Sequence, residues 1–197
     1  MQSFKSEPFL WIHLAGLAVL PLTLELVWLS LAVGDPVLPF WLELFFLAIV
    51  AIAPIAVMQW YRPFDIFSVL IVSLQPQQLT EKQRKILRLF KTPKHRVFTL
   101  VGAILMFLLL WQIYRYAPAA ATVALFPPQW RIVALLVAAF AFLLSNLFLQ
   151  VPISVLSVLL TSQAEYEATE AIAQSQISQE FTVPGLRVQK ILPTLVD

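Results

Sequence analysis

The stretch 62–96, RPFDIFSVLIVSLQPQQLTEKQRKILRLFKTPKHR, contains eight of the thirteen Lys and Arg residues in a chain of 197. The long apolar runs on either side contain almost none. Cationic loops stay on the cytoplasmic face of a membrane, so this segment sets an orientation as well as marking a boundary between spans. With the loop inside and two crossings on each side of it, both termini are expected in the cytoplasm.

Composition points the same way. Sixty per cent of the residues are apolar and only 12% are charged, which lies outside the range of water-soluble domains. The net charge of +2 is gathered in one loop rather than spread over a surface that could track nucleic acid, so no nucleic-acid partner is expected. With no cysteine, the chain has no disulfide, thiolate nucleophile or Cys-ligated metal centre, and its two histidines, His13 and His95, are far apart in sequence. The first apolar run is too long for a signal-peptide core and has no small-residue cleavage pattern after it, so it reads as an uncleaved span.

Outward from the loop, the apolar runs 9–33, 40–60, 97–114 and 132–160 are each long enough to cross roughly 30 Å of hydrocarbon at about 1.5 Å per residue. Gly34, Asp35 and Pro36 form a turn between the first two, and Pro54 kinks the second or is satisfied by a neighbour. Pro152 is expected where the fourth helix leaves the hydrocarbon, with 161–179 continuing that helix until Pro184 and Gly185 interrupt it. The run FDIFSVLIVSL at 64–74 is too short to cross and reads as interfacial or packed under the bundle. Thr80 and Gln83 form a capping box for a short helix over 79–91, which Pro93 ends. Trp11, Trp60, Trp111 and Trp130 fall at span ends, with Trp41 and Trp28 close by, as interfacial anchors do. The expected fold is therefore all-α: a four-helix transmembrane bundle over 1–160 with a cytoplasmic amphipathic helix in the 61–96 loop, and a helical cytoplasmic extension over 161–197.

Few residues suggest chemistry. Glu25 lies deep in the first span, where an ionised carboxylate is costly, and Glu43 lies about one turn into the second from the same side. The two could line a proton or cation path, or either could be a neutral carboxyl bonded between helices; if both are ionised, they repel unless Arg115 or Arg131 intervenes. His13 could ligate the metal of a pigment, or it could be an ordinary interfacial side chain. Asn146 and Gln150 are one turn apart on one face of the fourth span, a spacing suited to bonding another helix. Ala15, Gly16 and Ala18 would permit close helix approach, although without GxxxG spacing. Lys82, Arg84, Lys85, Arg88, Lys91, Lys94 and Arg96 are candidates to contact anionic lipid or a partner, the helix lying flat on headgroups; alternatively the loop is solvated and only sets topology. The acidic positions Glu165, Glu167 and Glu170 could pair with this loop and pin the tail, or merely solubilise a helix. Neither HExxH, a P-loop, GxSxG nor a paired-Asp motif is present, and no catalytic residue or metal ligand set is expected. An enzymatic reading would rest on His13, Asp65 and His95, whose spacing matches no known motif.

The opening MQSFKSEPFLWIHLAGLAVLPLTLELVWLSLAVGDP, the segment RPFDIFS and the stretch LTEKQRKILRLFK resemble the cyanobacterial low-complexity tail membrane protein family over about residues 1–160. The resemblance implies a multi-pass protein of a photosynthetic bacterium and carries no catalytic residue across. The tail after Thr161 departs from the family name, being short and not plainly repetitive. Together these readings favour a non-enzymatic integral protein of a bacterial plasma or thylakoid membrane, an accessory subunit or assembly factor of a larger complex, for instance a photosynthetic one. It would contact lipid and a membrane protein complex, with bound lipid or chlorophyll compatible and the oligomeric state open. The alternative is a small oligomeric proton or cation transporter using Glu25 and Glu43.

Overall fold

The computed structural model describes residues 3–69, 71–183 and 185–191. Four helical stretches are long and apolar enough to cross a membrane: Pro8–Leu31, Phe40–Tyr61, Pro93–Val123 and Pro128–Leu159. Their internal irregularities follow the prolines. The first consists of α1 (Pro8–Ala15) and α2 (Leu20–Leu31), joined by a 3-10 turn, Gly16–Val19, just before Pro21. The second consists of α3 (Phe40–Leu47) and α4 (Ala53–Tyr61), joined by a π-turn over Ala48–Ile52 in which the Ala53 N–H donates to the Ala48 carbonyl. Pro54 explains that turn, because proline has no N–H and its ring displaces the carbonyl four residues back, so the ladder widens to i→i+5.

The basic loop and the ends of the chain differ from expectation in several places. The short run at 64–74 forms β1 (Ser68–Val69) and β2 (Val72–Leu74), an antiparallel pair, within a fold that is mostly helical as expected. Helix α5 (Glu81–Leu89) opens on the expected capping box, with Thr80 Oγ1 accepting from the Gln83 N–H and the Gln83 side chain accepting from the Thr80 N–H. Pro93 follows its end but serves as the first residue of α6 (Pro93–Tyr116), the position where a missing N–H and a fixed φ suit helix initiation. In the 117–130 connection, 3-10 turns cover Ala117–Val123 and Pro128–Trp130.

Helix α7 (Arg131–Leu159) runs through Pro152 and stops at Leu159, so 161–179 does not continue it. Ser162 is extended, and its hydroxyl accepts from the Glu165 N–H, which starts a separate helix, α8 (Gln163–Ala168). Then come α9 (Gln174–Glu180) and β3 (Leu186–Val188), which pairs parallel to β2 with Ser73 opposite Arg187. Gly185 makes that return possible: its φ is +60°, and a Cβ there would lie 1.9 Å from the Ile71 carbonyl oxygen.

By contacts the chain divides into two compact units. One gathers residues 1–15, 58–98 and 151–197, and the other 16–57 and 99–150. In this grouping the tail joins the N-terminal residues and the basic loop. In the first unit the tail contributes Tyr166, Ile172, Ile177 and Phe181 to one apolar core with Phe4, Phe67, Ile86 and Phe90. The Phe4 and Tyr166 rings stack at 4.3 Å. In the second unit all four apolar stretches meet: the hydroxyls of Thr23 and Ser145 lie 2.8 Å apart, the Trp28 indole donates to the Tyr116 carbonyl at 3.0 Å, and Phe45 stacks on Phe107. All six tryptophans are exposed, as interfacial anchors should be.

The tail is thus held by apolar burial and a network of hydrogen bonds from cations to its backbone. High salt alone, at about 1 M, should leave its cleavage by proteinase K nearly unchanged, since screening acts mainly on exposed charges. Ile177→Asp should make the same bonds cleavable at low salt by placing a charge in that core. Equal cleavage of the variant and the native chain would contradict this account of the tail.

Candidate functional site

The best-defined polar site lies in the second unit, where three helices and the turn 32–39 converge on Glu43. This residue occupies the first turn of α3 and is fully buried. Its Oε1 accepts from the Val37 and Leu38 N–H groups at 2.8 and 3.3 Å. Its Oε2 accepts from the Tyr114 hydroxyl on α6 and from Arg131 Nη2 on α7, the latter at 2.5 Å. Arg131 also donates through Nη1 to the carbonyls of Leu31 and Val33, at 2.6 and 3.1 Å. Those carbonyls are at the end of α2, where helix groups lack intrahelical donors and a cation is favourable. Gly34 turns the chain beside them at φ +58°, and a Cβ there would lie 2.8 Å from the Pro128 carbonyl oxygen. A cavity of about 340 Å³ opens alongside, lined by Leu31, Gly34, Asp35, Tyr114, Pro128 and Arg131 among others.

Chemically this arrangement is a lock. Both Glu43 oxygens are engaged, so the carboxylate has little capacity left to bind a further group. The sequence allowed Arg131 as one possible mediator between Glu25 and Glu43; Arg131 does reach Glu43, but Glu25 is not part of the cluster. Glu25 is exposed, and no hydrogen bond or ion pair reaches it among the described residues. Tyr114 was missed as a participant. Its signal was a hydroxyl at the same end of a span as Glu43 and Arg131, legible only once the hairpin geometry is known.

The other candidates are dispersed. His13, half-buried, donates from Nδ1 to the Phe9 carbonyl at 2.8 Å, which leaves Nε2 as the acceptor in the neutral ring. Asn146 and Gln150 are buried, but the Asn146 amide donates to Phe142 on its own helix at 3.0 Å rather than to another helix. Gly16 faces Phe148, whose ring atom lies 3.4 Å from the position of a glycine Cβ. His95 is buried with Nε2 at 3.1 Å from the Gln59 carbonyl, to which it donates.

The basic residues serve mostly as caps for backbone carbonyls. Lys82 donates to Ser3, Arg84 to Ile172, Lys85 to Glu167, Lys91 to Tyr61 and Lys94 to Leu160. Arg88 and Arg96 remain exposed, Arg96 lying 5.6 Å from the Trp60 ring. The apolar side of α5, formed by Ile86, Leu87, Leu89 and Phe90, is buried in the protein core. It is therefore not free to lie on headgroups, which corrects the flat-lying reading of this helix. The loop does hold the tail, but through carbonyls and a 3.6 Å Lys91–Glu180 pair rather than through the carboxylates of Glu165, Glu167 and Glu170. Burial lowers the Lys91 pKa, and Glu180 opposes that shift.

Asp65 is buried at the start of the hairpin, where it accepts from the Phe67 N–H at 2.9 Å and its carbonyl accepts from the Ser68 hydroxyl. Burial pushes its carboxyl up to about 6, while the Phe67 N–H and the charge of Arg187 pull it down. Such a group organises a turn.

Four apolar helices joined by a buried polar cluster define an integral membrane protein of the multi-span helical class. Within that class, residues 6–193 match the family described as Low-complexity tail membrane protein-like, and the chain belongs to it. The match runs well past residue 160, so the folded tail is part of the family sequence. Neither the curated proteins nor the solved structures gave a match.

Two measurements check this geometry. In detergent, Glu43→Ala and Arg131→Ala should each destabilise the protein by about 3–5 kcal/mol, and the double variant by clearly less than their sum, because each single change strands a buried charge. Additive losses would mean the pair is not coupled. Because the folded pKa of Asp65 lies above its unfolded value, its contribution is neutral below about pH 4 and destabilising, by at most about 3 kcal/mol, as pH rises through about 6. Asp65→Asn keeps the acceptor for Phe67 and should raise the Tm at pH 8 but not at pH 4; an equal shift at both would rule out this titration.

Proposed function

We propose that this protein is a non-enzymatic membrane factor, an accessory subunit or assembly factor of a larger membrane complex in a bacterial plasma or thylakoid membrane. In this reading the basic loop, the tail and both termini face the cytoplasm, as the charge asymmetry favours. One observation carries the proposal: the buried intramembrane carboxylate is committed to holding helices together, with Glu43 bound by Arg131, Tyr114 and two backbone N–H groups. What remains available is outward-facing apolar surface. In each candidate span no more than 44% of the most apolar window is buried within the chain. Large apolar faces of this kind are covered by lipid or by neighbouring helices.

The folded loop and tail add a second surface of defined shape, on which Arg88, Arg96 and the acids Glu165, Glu167 and Glu170 are among the exposed charged groups. The transport reading has less support, because Glu43 is locked and Glu25 lies on the outer surface. Bound lipid or a chlorophyll on His13 Nε2 remains compatible with an accessory role, since a pigment site needs only one imidazole.

Native mass spectrometry of the protein taken from its own membranes in mild detergent, with an absorption spectrum, should find it in a heteromeric complex. Recovery as this chain and lipid alone would overturn the proposal. A cysteine placed at Arg88 should react with a membrane-impermeant maleimide only from the cytoplasmic side, and labelling from the outside would reverse the orientation.

A further inference from the structure

We propose that the outer face of α2 bearing Glu25 docks one transmembrane helix of a different protein, and that a Lys or Arg of that helix pairs with Glu25. The inference rests on the accessory-subunit reading and names the contact through which it would operate. Pro21, Leu22, Glu25 and Trp28 follow helical spacing along one face of α2, Ala18 precedes them in the 3-10 turn, and all five are exposed, Leu22 at 68%. The stripe is apolar except for one carboxylate in its middle.

That carboxylate has no partner among the described residues, in contrast to Glu43 with four donors. Glu25 lies six residues before Leu31, the last residue of the span, which is about 9 Å at helical rise. A glutamate side chain is too short to reach the headgroups from there, whereas the long stems of Lys and Arg allow them to snorkel. An unpaired carboxylate at that depth is costly, and intramembrane acids are normally matched to a partner group.

Lipid tails supply no donor to that carboxylate. Lys and Arg carry only donors and a positive charge, and either matches it. A second copy of this chain is disfavoured, since a two-fold contact through this face would set two Glu25 carboxylates together. The small side chains of Ala18 and Pro21 allow the close approach such packing uses.

The test uses full-length protein in its native membranes, with a diazirine amino acid at Leu22 and, separately, Glu25→Lys and Glu25→Gln. Photo-adducts at Leu22 should map to a membrane span of another protein containing a Lys or Arg. Glu25→Lys should lower co-purification of that protein about tenfold or more, Glu25→Gln should lower it less, and reversing the partner's cation to Glu should restore binding to Glu25→Lys. Gel filtration of each variant in detergent checks that it is folded, and Glu25→Gln, with nearly the same shape, decides the matter if Glu25→Lys aggregates. Adducts to lipid alone, adducts to a second copy, or recovery unaffected by either variant would overturn the proposal. If a complex still co-purifies in those cases, only the Glu25 contact fails; if the native chain has no partner, the accessory-subunit reading fails with it.

Discussion

The second unit depends on one buried ion pair. Glu43 and Arg131 come from the first turns of α3 and α7, and each uses its remaining capacity on backbone groups that would otherwise be stranded. The carboxylate takes two N–H groups of the turn before α3, and the guanidinium takes two carbonyls from the end of α2. Cation at a helix C-terminus and anion at a helix N-terminus are both favourable dipole placements. The unfavourable feature is Arg131 at the N-terminus of its own helix, and Glu43 offsets it. Buried pairs of this kind add little net stability compared with apolar packing, but they define geometry, because any arrangement that separates them strands a charge. Here the geometry defined is the meeting of four helix ends.

In the first unit a different constraint prevails. The chain returns three times to the same apolar core, from the N-terminal residues, from the basic loop and from the tail, and the last return needs Gly185 to let β3 approach β2. A two-stranded hairpin of five residues would be marginal alone, and the third strand and the core beneath it are what make the β structure stable. The tail is therefore a structural element of the unit rather than an appendage, even though its composition of Ala, Gln, Ser and Glu suggests otherwise.

The spans were legible because hydropathy and length decide them, and the capping box at Thr80 was legible because it is local. Proline effects were half legible: Pro54 announced an irregularity, but whether it would give a kink or a π-turn depended on how the neighbouring carbonyls were accommodated. The 64–74 strands were missed because a short apolar run has no periodicity that separates an interfacial helix from a hairpin, and the pairing that decides it comes from Leu186–Val188, more than a hundred residues away. The fate of Glu25 and Glu43 was not legible at all. Both are single acids near the same end of adjacent spans, and only helix rotation sends one toward Arg131 and the other outward.

The basic loop shows why charge patterning is a poor guide to contacts. Lysine and arginine retained on one side of a membrane are also the residues best able to cap carbonyls at helix ends and irregular turns, and six of the eight here do so. A cation used this way keeps its charge, so its contribution to orientation survives, while its capacity to recruit anionic lipid is reduced. Orientation counts charges; recruitment counts charges that are still exposed. By the second count the loop retains Arg62, Arg88 and Arg96, of which Arg62 is already bonded to the tail, and the apolar side of α5 that would have carried the helix to the membrane is occupied by the protein's own core. The same residues that read as a lipid-binding helix in sequence thus do most of their work inside the fold, tying the tail and the N-terminal residues to the loop between the second and third spans.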